Sequence, residues 1–337
     1  GESPPLQFED IKQRYKAINT RLIPYLRIQR KAITAPEAQK SHWFNVYNHD
    51  YLPNYDSSAV RPEARVGFSA LLLSVDSIAP EQLNSGRLPS DLDRALNGFE
   101  YHDGKIQLPQ NPAVVVEEPD RRWRIANAGG DLLVIGERNR LAVYDAAAAT
   151  AWDTSTRQIR FKSDGDRLVS VHFAGKPLYD FYAYNFSVYH QSAIRVPVGD
   201  LRLAFTWYPD SGVGGLVLEM NRDKDTFFAR IQMDGSVQID RLTDGAKKIN
   251  TIGKAKLDPL RHGKALGIEF SNVDFRVSLK VNDREVLASN DSQYAPSIAE
   301  LLLRDPEDVS ATKPSRVKIG GYRMQCRIEH LELDRDE

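Results

Sequence analysis

Beyond Tyr25, apolar and polar residues alternate along many short segments, and turn-forming residues separate one segment from the next. A period of two places the apolar side chains on one face of a strand and the polar ones on the other. The segments of this kind are RWRIA, DLLVIG, RLAVY, QIRFK, RLVSVHF, LRLAFTWY, GLVLEM, FFARIQM, SVQIDRL, LGIEF, FRVSLKV and RVKIGG. Because no long helical pattern separates them, they predict an antiparallel β-sandwich or barrel.

Two hairpins are predicted from their turn residues. Asp234-Gly235 separates FFARIQM from SVQIDRL, and Asn282-Asp283 separates RVSLKV from REVL. Such dipeptides supply the positive φ angles that two-residue hairpin turns require.

Helical patterns are few. Apolar residues at spacings of three and four within residues 8–22 predict one amphipathic helix, which lies against the protein or, alternatively, on a membrane surface. Residues 90–98 predict a second short helix, and the alanines from Ala146 to Ala151 predict a helical turn. Together these patterns divide the chain into an N-terminal α/β segment, 1–112, and a β-sandwich, 113–337.

Composition excludes several classes of protein. The chain has 337 residues, with 45 Lys and Arg against 46 Asp and Glu, and both signs are dispersed, so no basic region predicts nucleic acid as a partner. Its longest apolar window, residues 67–75, has the length of a strand and is too short for a membrane span. The single Cys326 lies in an alternating segment and is predicted to be a small buried residue. Since the chain begins with Gly1, we expect that an upstream segment, such as a signal sequence or membrane anchor, was removed.

The last residues, ELDRDE, contain three carboxylates in an arrangement that resembles the motif of laminarinase-like retaining glycosidases. In a strand Glu332 and Asp334 share one face, and a bulge could bring Glu337 to it. The resemblance implies a nucleophile and an acid/base on a jelly roll. A solvated strand at the end of the chain explains the same residues without catalysis and is the favoured interpretation.

Other catalytic and metal patterns are weak. The seven histidines are widely separated and form no local zinc signature, so no metal site is predicted. Oxygen-rich segments at 163–166 and 221–225 are candidates for calcium but match no known calcium loop, and no cofactor is predicted from them. The chain has no G-x-S-x-G sequence that would predict a nucleophilic serine.

Aromatic residues are concentrated between 179 and 189, in PLYDFYAYNFSVYHQ, and around SHWFNVYNHDY. Rings with polar tips suit the faces of sugars, but packing of the rings into a core is the favoured interpretation. If the protein binds a ligand, the predicted contacts are Trp43, Tyr47, Tyr51, Tyr182, Tyr184 and Asn185.

Three segments, residues 30–55, 177–185 and 327–337, resemble parts of the region inserted in planctomycete-type bacterial signal peptidases, and they follow each other in the same order. The resemblance implies a concanavalin-like or laminin-G-like antiparallel β-sandwich, a jelly roll, and an extracytoplasmic location. The serine and lysine boxes of those peptidases are missing from this chain, so no catalytic residue is carried over.

Two interpretations of function remain open. The first is a non-catalytic binding or accessory module that contacts polypeptides or another component of the cell envelope, with membrane attachment through a segment outside this chain. The second is a sandwich that binds or processes glycans, and the fold class alone does not decide between the two.

Overall fold

The computed structural model describes twelve ranges of the chain, and all statements below concern these residues. Among them no helix has the length and apolar character needed to cross a membrane. The described ranges are 43–51, 67–76, 100–102, 105–107, 114–118, 122–126, 131–137, 140–174, 179–180, 196–246, 248–295 and 315–336.

Nearly all of the regular structure is extended. Within the described ranges, one short helix, α1, spans Ala146–Ala151, and one 3-10 turn spans His49–Tyr51. The strands are β1 (Trp43–Asn48), β2 (Phe68–Ser69), β3 (Leu71–Asp76), β4 (Glu100–His102), β5 (Lys105–Gln107), β6 (Val114–Glu118), β7 (Arg122–Ala126), β8 (Leu132–Glu137), β9 (Arg140–Asp145), β10 (Trp152–Asp153), β11 (Ile159–Ser163), β12 (Val169–Phe173), β13 (Tyr179–Asp180), β14 (Val196–Pro197), β15 (Leu201–Arg222), β16 (Asp225–Gln232), β17 (Ser236–Thr243), β18 (Asn250–Lys256), β19 (Leu266–Val273), β20 (Arg276–Val281), β21 (Arg284–Ala288) and β22 (Val317–Asp336).

Two long strands, β15 and β22, organise the sandwich because they pair antiparallel along almost their whole length. Residues 201–207 of β15 and 328–336 of β22 form the front sheet together with β1, β19, β20 and β21. Residues 215–222 of β15 and 317–322 of β22 form the back sheet with β2, β12, β16, β17 and β18. Strands β10 and β11 pair with the middle of β22.

The bend between the two sheets depends on glycines in the middle of β15. Gly212 has a φ of +98°, and a Cβ there would lie 2.4 Å from the Arg323 carbonyl oxygen. At Gly214 a Cβ would lie 1.8 Å from the Tyr322 carbonyl oxygen. The two backbones therefore approach closely at the corner because these positions carry no side chain.

Alternating side chains from both sheets fill one core. Along β15 the residues at odd positions from Leu201 to Trp207 are buried, and the residues between them are half-buried. The same core includes residues from β16, β19 and β20 such as Phe227 and Phe270. The predicted fold class, a mostly β protein with a jelly-roll antiparallel sandwich, is confirmed. Cys326 is buried, as predicted, and burial raises the pKa of its thiol to about 12.

Several local predictions are confirmed. The Asp234-Gly235 turn joins β16 to β17, and Asn282-Asp283, both with positive φ, join β20 to β21. Helix α1 forms at the predicted alanines, with the Asp145 side chain accepting a hydrogen bond from the Ala148 N–H. The predicted helices at 8–22 and 90–98 lie outside the described residues.

Strand pairing crosses residue 113, although the division of the chain into domains at that position stays a prediction. Strands β1 and β2 precede that residue but pair with β22 and β12 in the sandwich. Strands β6 to β9 follow it and form a separate sheet, ordered β3-β9-β8-β7-β6. The physical reason is that long-range backbone pairing brings in strands that are distant in sequence.

One end of the front sheet is held by contacts around Asp200, directly before β15. Its carboxylate accepts hydrogen bonds from Arg222 and from the Asp274 N–H, the latter at 3.1 Å, while its carbonyl accepts one from the Asp336 N–H. Burial raises the pKa of Asp274 to about 6, the negative charge of Asp200 adds to this rise, and Arg222 opposes it. These contacts tie the start of β15 to the ends of β19 and β22.

The raised pKa of Asp274 predicts a pH-dependent stability. The folded state binds this proton more tightly than the unfolded state, so the free energy of unfolding falls as the pH rises from about 4 to 6. Asp274→Asn removes the buried charge and keeps a residue that tolerates the positive φ of 48°. We expect the variant to be more stable than the parent by about 1–3 kcal/mol at pH 7, with the difference vanishing below pH 4. Urea unfolding across this pH range measures the effect.

Taking the difference between variant and parent cancels the contribution of His172, which has the opposite sign. Burial lowers the pKa of His172 to about 4, so its contribution to stability is lost as the pH falls below its unfolded-state value. A stability difference that does not change between pH 4 and pH 7 would contradict the role given to Asp274.

Candidate functional site

The outward side of the front sheet carries a group of polar side chains next to one tryptophan. Strand pairing brings them together from five strands, β1, β22, β15, β19 and β20. We call this group the polar strip, and its members are Trp43, Asn45, Asn48, Arg202, Glu269, Lys280, Glu332 and Asp334.

A bulge in β1 determines which of its residues join the polar strip. Asn45 pairs with Asp334 and Asn48 with Glu332, and the extra residue between the two registers is Val46. Because the extra residue shifts the alternation, Asn45 and Asn48 both contact outward-facing carboxylates of β22.

Arg202 and Asp334 form the centre of the polar strip. Oδ2 of Asp334 accepts hydrogen bonds from Nε and Nη2 of Arg202 at 2.9 and 2.6 Å, and Oδ1 accepts one from Asn45 at 2.8 Å. The Asp334 side chain is 4% exposed, so protein donors occupy its oxygens instead of water. The guanidinium carbon of Arg202 lies 5.2 Å from the centre of the Trp43 ring, within the range of a cation–π interaction.

Two further carboxylates lie on either side of Arg202. Its Nη2 is 3.7 Å from Glu332 and its Nη1 is 3.7 Å from Glu269. Glu332 also accepts a hydrogen bond from Asn48 at 2.8 Å, and Lys280 forms an ion pair with Glu269 at 2.8 Å. The cation and carboxylates hold each other in fixed positions on the sheet.

Next to the polar strip lies a row of small side chains, Ala204, Thr206 and Gly267, which we call the small-residue row. Ala204 pairs with both Glu332 and Glu269, and Thr206 pairs with Glu329 and Gly267. Longer polar side chains therefore border a line of short ones, which gives this part of the sheet a shallow depression.

The far end of the small-residue row has a second pairing of an aromatic ring with an arginine. The guanidinium carbon of Arg327 lies 4.8 Å from the centre of the Tyr208 ring, and Arg327 donates to both carboxylate oxygens of Asp210. From Arg202 to Tyr208 the strand extends about 20 Å. The depression thus has an aromatic ring with an arginine at each end.

His49, directly after β1, fixes this strand to the core. Its buried ring lies between the Tyr47 hydroxyl, 2.5 Å from Nδ1, and the Thr156 carbonyl oxygen, 2.8 Å from Nε2. Because a carbonyl can only accept, Nε2 carries the hydrogen and Nδ1 accepts from Tyr47. Burial lowers the pKa of His49, although the contacts with Thr156 and Asp50 oppose this, so a neutral ring is favoured.

Asp50 joins the same end of β1 to two other segments. It accepts hydrogen bonds from His330 in β22 and from Arg157 before β11. Burial acts to raise the pKa of Asp50, but the hydrogen bonds from His330 and Arg157 outweigh it and hold the pKa below the usual value. The charged carboxylate therefore helps to keep the polar residues of β1 in place.

Of the sequence-predicted ligand contacts, Trp43 lies in the polar strip and Tyr47 does not. Tyr47 faces the core, where its ring packs against Phe68 and Phe173, so the prediction that it is exposed for a ligand needs correction. The bulge at Val46 is the physical reason. Tyr51 ends the 3-10 turn, and its side chain lies outside the described part of the structure. Tyr182, Tyr184 and Asn185 lie outside the described residues.

Two of the three candidate glycosidase carboxylates lie on the polar strip. Glu332 and Asp334 share the outward face of β22, as predicted, while Glu337 lies outside the described residues. The nearly buried Asp334 is bound by Arg202 and Asn45. A catalytic role stays the alternative to a solvated strand, and the burial of Asp334 departs from the solvated interpretation.

The two candidate calcium segments form turns after β11 and between β15 and β16. In the second, Asp225 is buried and accepts hydrogen bonds from Arg241, at 2.9 Å, and from Thr243, at 2.6 Å. Within the described ranges, no group of three or more His, Cys, Asp or Glu side chains has a geometry that could hold a metal ion.

Arg202, Glu269, Lys280 and the two asparagines of the polar strip were not among the site residues predicted from the sequence. Alternation in LRLAF and LGIEF already places Arg202 and Glu269 on the outward face of their strands. Their convergence depends on the pairing of β15 with β19 and β22, which a single sequence does not display.

Comparison with known proteins gives likeness in structure alone. No protein-family model matches the chain, and no curated protein matches it. The structure is similar to the carbohydrate binding module CBM66 from Bacillus subtilis, with a TM-score of 0.33, 13% identity and coverage of 54% of this chain and 89% of that one. It is also similar to galectin LEC-6 of Caenorhabditis elegans, with a TM-score of 0.26, 12% identity and coverage of 54% and 96%. A third similar structure is alginate lyase A1-II′, with a TM-score of 0.31, 12% identity and coverage of 53% and 83%.

The geometry of the polar strip predicts strong coupling between Arg202 and Asp334. Arg202→Met leaves a nearly buried carboxylate without its cation, so we expect a loss of about 2–4 kcal/mol in the free energy of unfolding. Asp334→Leu should cost less, because Arg202 keeps Glu269 and Glu332 within 3.7 Å. The double variant should be more stable than Arg202→Met alone, since no unpaired buried charge remains. Urea unfolding of the four proteins gives the double-mutant cycle.

Additive losses, with a coupling free energy below about 0.5 kcal/mol, would mean that the two side chains do not stabilise each other.

Proposed function

We propose that this chain is a glycan-binding β-sandwich whose ligand lies on the polar strip and along the small-residue row. The observation that carries the proposal is the Trp43 ring beside Arg202, at the border of a depression lined by carboxylates and amides. Small-ligand sites combine a ring surface with a few fixed polar groups in this way.

A sugar has an apolar C–H face and polar hydroxyl groups, and the polar strip offers a partner for each. The ring of Trp43 offers an apolar face to the C–H groups of a sugar. Glu332 and Glu269 accept hydrogen bonds from hydroxyl groups, while Arg202 and Asn48 donate to them. Because ion pairs and hydrogen bonds already fix these side chains, little side-chain entropy is lost when a ligand binds.

The resemblance to the signal peptidase insert stays a prediction, as do the extracytoplasmic location and a polypeptide ligand. On that hypothesis the sandwich binds preproteins outside the cytoplasm and catalyses nothing itself. Polypeptides that carry signal peptides therefore belong in the same binding assay as glycans.

Binding to an array of neutral and acidic polysaccharides tests the proposal, with Trp43→Ala beside the parent protein. We expect saturable binding to at least one glycan, and a loss of affinity of roughly tenfold in Trp43→Ala, because the apolar face for the sugar is removed. The thermal unfolding midpoint of the variant checks that it is folded.

Tyr322→Ala is the matched control, because Tyr322 is a half-buried aromatic residue of β22 in the back sheet. Its affinity for the glycan should stay close to that of the parent. Equal losses in both variants would contradict a site at the polar strip. Binding of signal-peptide polypeptides without binding of glycans would favour the accessory-module interpretation.

A glycan-processing function is the second candidate, and the shared outward face of Glu332 and Asp334 favours testing it. If these carboxylates catalyse hydrolysis, the parent protein releases reducing sugar from a bound polysaccharide and Glu332→Gln abolishes the release. Measurement of reducing ends on each glycan that binds shows whether the protein hydrolyses its ligand. Binding without any release by the parent would leave a binding module.

A further inference from the structure

We infer that the polar strip selects uncharged glycans over glycans that carry carboxylate or sulfate groups. This inference rests on the proposed function, because it concerns the ligand class of the same site. It follows from the way in which the charges of the polar strip and the small-residue row are paired.

Three cations at the depression are already bound to carboxylates, whereas Arg160, the partner of Arg327 between β11 and β22, donates to the amide oxygen of Gln158. Arg202 binds Asp334 through two nitrogens, and Lys280 lies 2.8 Å from Glu269. At the far end, Arg327 donates to Asp210 at 2.9–3.1 Å. Arg157 is paired with Asp50 in the same manner, and Arg276 with Glu285. An anionic ligand would have to compete with these carboxylates for each of these cations.

Two carboxylates beside the small-residue row have an amide as their hydrogen-bonding partner. Glu332 accepts from Asn48 at 2.8 Å, and Glu329 accepts from Gln158 at 2.5 Å. A carboxylate has about four acceptor positions, and an amide fills one of them. Because the amide is neutral, it does not compensate the negative charge of the carboxylate. Arg202 lies 3.7 Å from Glu332, which is too far for a hydrogen bond. The remaining acceptor positions of Glu332 are therefore open to a ligand.

The ligand that satisfies these acceptors is one that donates hydrogen bonds and carries no negative charge. Sugar hydroxyl groups meet both conditions. A uronate or sulfate placed along the small-residue row would lie beside Glu329 and Glu332, and like charges next to each other disfavour binding. Glu332 is partly exposed to solvent, and added salt shortens the Debye length, so the repulsion weakens as salt is added.

The inference is tested with pairs of ligands that differ only at C6, which is a carboxylate in one and a primary alcohol in the other. The probes are hexagalacturonate and hexamannuronate, each compared with the same oligosaccharide after its carboxyl groups have been reduced to primary alcohols. The array used for the proposed function supplies further neutral and acidic members. Titration calorimetry with the full chain should give affinities roughly tenfold higher for the reduced forms at low salt, and a smaller difference in about 0.5 M NaCl.

Charge-neutral variants identify the residues that discriminate. In Glu329→Gln/Glu332→Gln the difference between reduced and acidic forms should fall to roughly threefold or less, because the side chains keep their size and lose their charge. Asp234→Asn is the matched control, since it removes an exposed carboxylate, paired with Lys256, from the hairpin turn of the back sheet. Its discrimination should equal that of the parent.

The outcomes separate the two proposals. Acidic forms that bind the parent as tightly as the reduced forms, or more tightly, overturn the inference and leave glycan binding intact. Full discrimination retained in the double variant also overturns it. If no glycan of the array and none of the four oligosaccharides binds, the proposed function fails and the inference fails with it.

Discussion

The antiparallel pairing of β15 with β22 is the constraint on which the other features of the sandwich depend. Both strands belong to two sheets, and their hydrogen bonds run from Leu201 opposite Arg335 to Met220 opposite Val317. The front and back sheets are therefore continuous through these strands. At the corner, Gly212 and Gly214 let the backbones approach within distances that a side chain would prevent.

The same pairing creates the candidate site. Arg202 and Asp334 are 132 positions apart in sequence, yet they are direct partners in the ladder. Alternation along each strand points every second side chain into the core. Arg202 and Asp334 lie on the opposite, outward face and are therefore available for polar contacts. The small side chain of Ala204 lies between Glu332 and Glu269 in the same ladder, so the depression results from strand register and residue size together.

Local features of the structure could be predicted from the sequence, whereas long-range pairing could not. The hairpins at Asp234-Gly235 and Asn282-Asp283 follow from turn residues whose conformational preferences are local. By contrast, the sequence pattern predicts LRLAFTWY and GLVLEM as separate strands. They are parts of the single strand β15, in which Pro209 and the glycines that follow form the bend. For the candidate site, Trp43, Glu332 and Asp334 could be proposed from residue type, but their convergence with Arg202 depends on register.

Tyr47 illustrates how a single backbone irregularity changes the composition of a surface. The one-residue bulge at Val46 turns the tyrosine toward the core and leaves Asn48 beside Glu332. With Val46 in regular alternation instead, Tyr47 would face outward on the polar strip and Asn48 would face the core. The same residues therefore present a different outward face according to whether one of them is bulged, so the register of an edge strand, and not residue type alone, sets what the polar strip exposes.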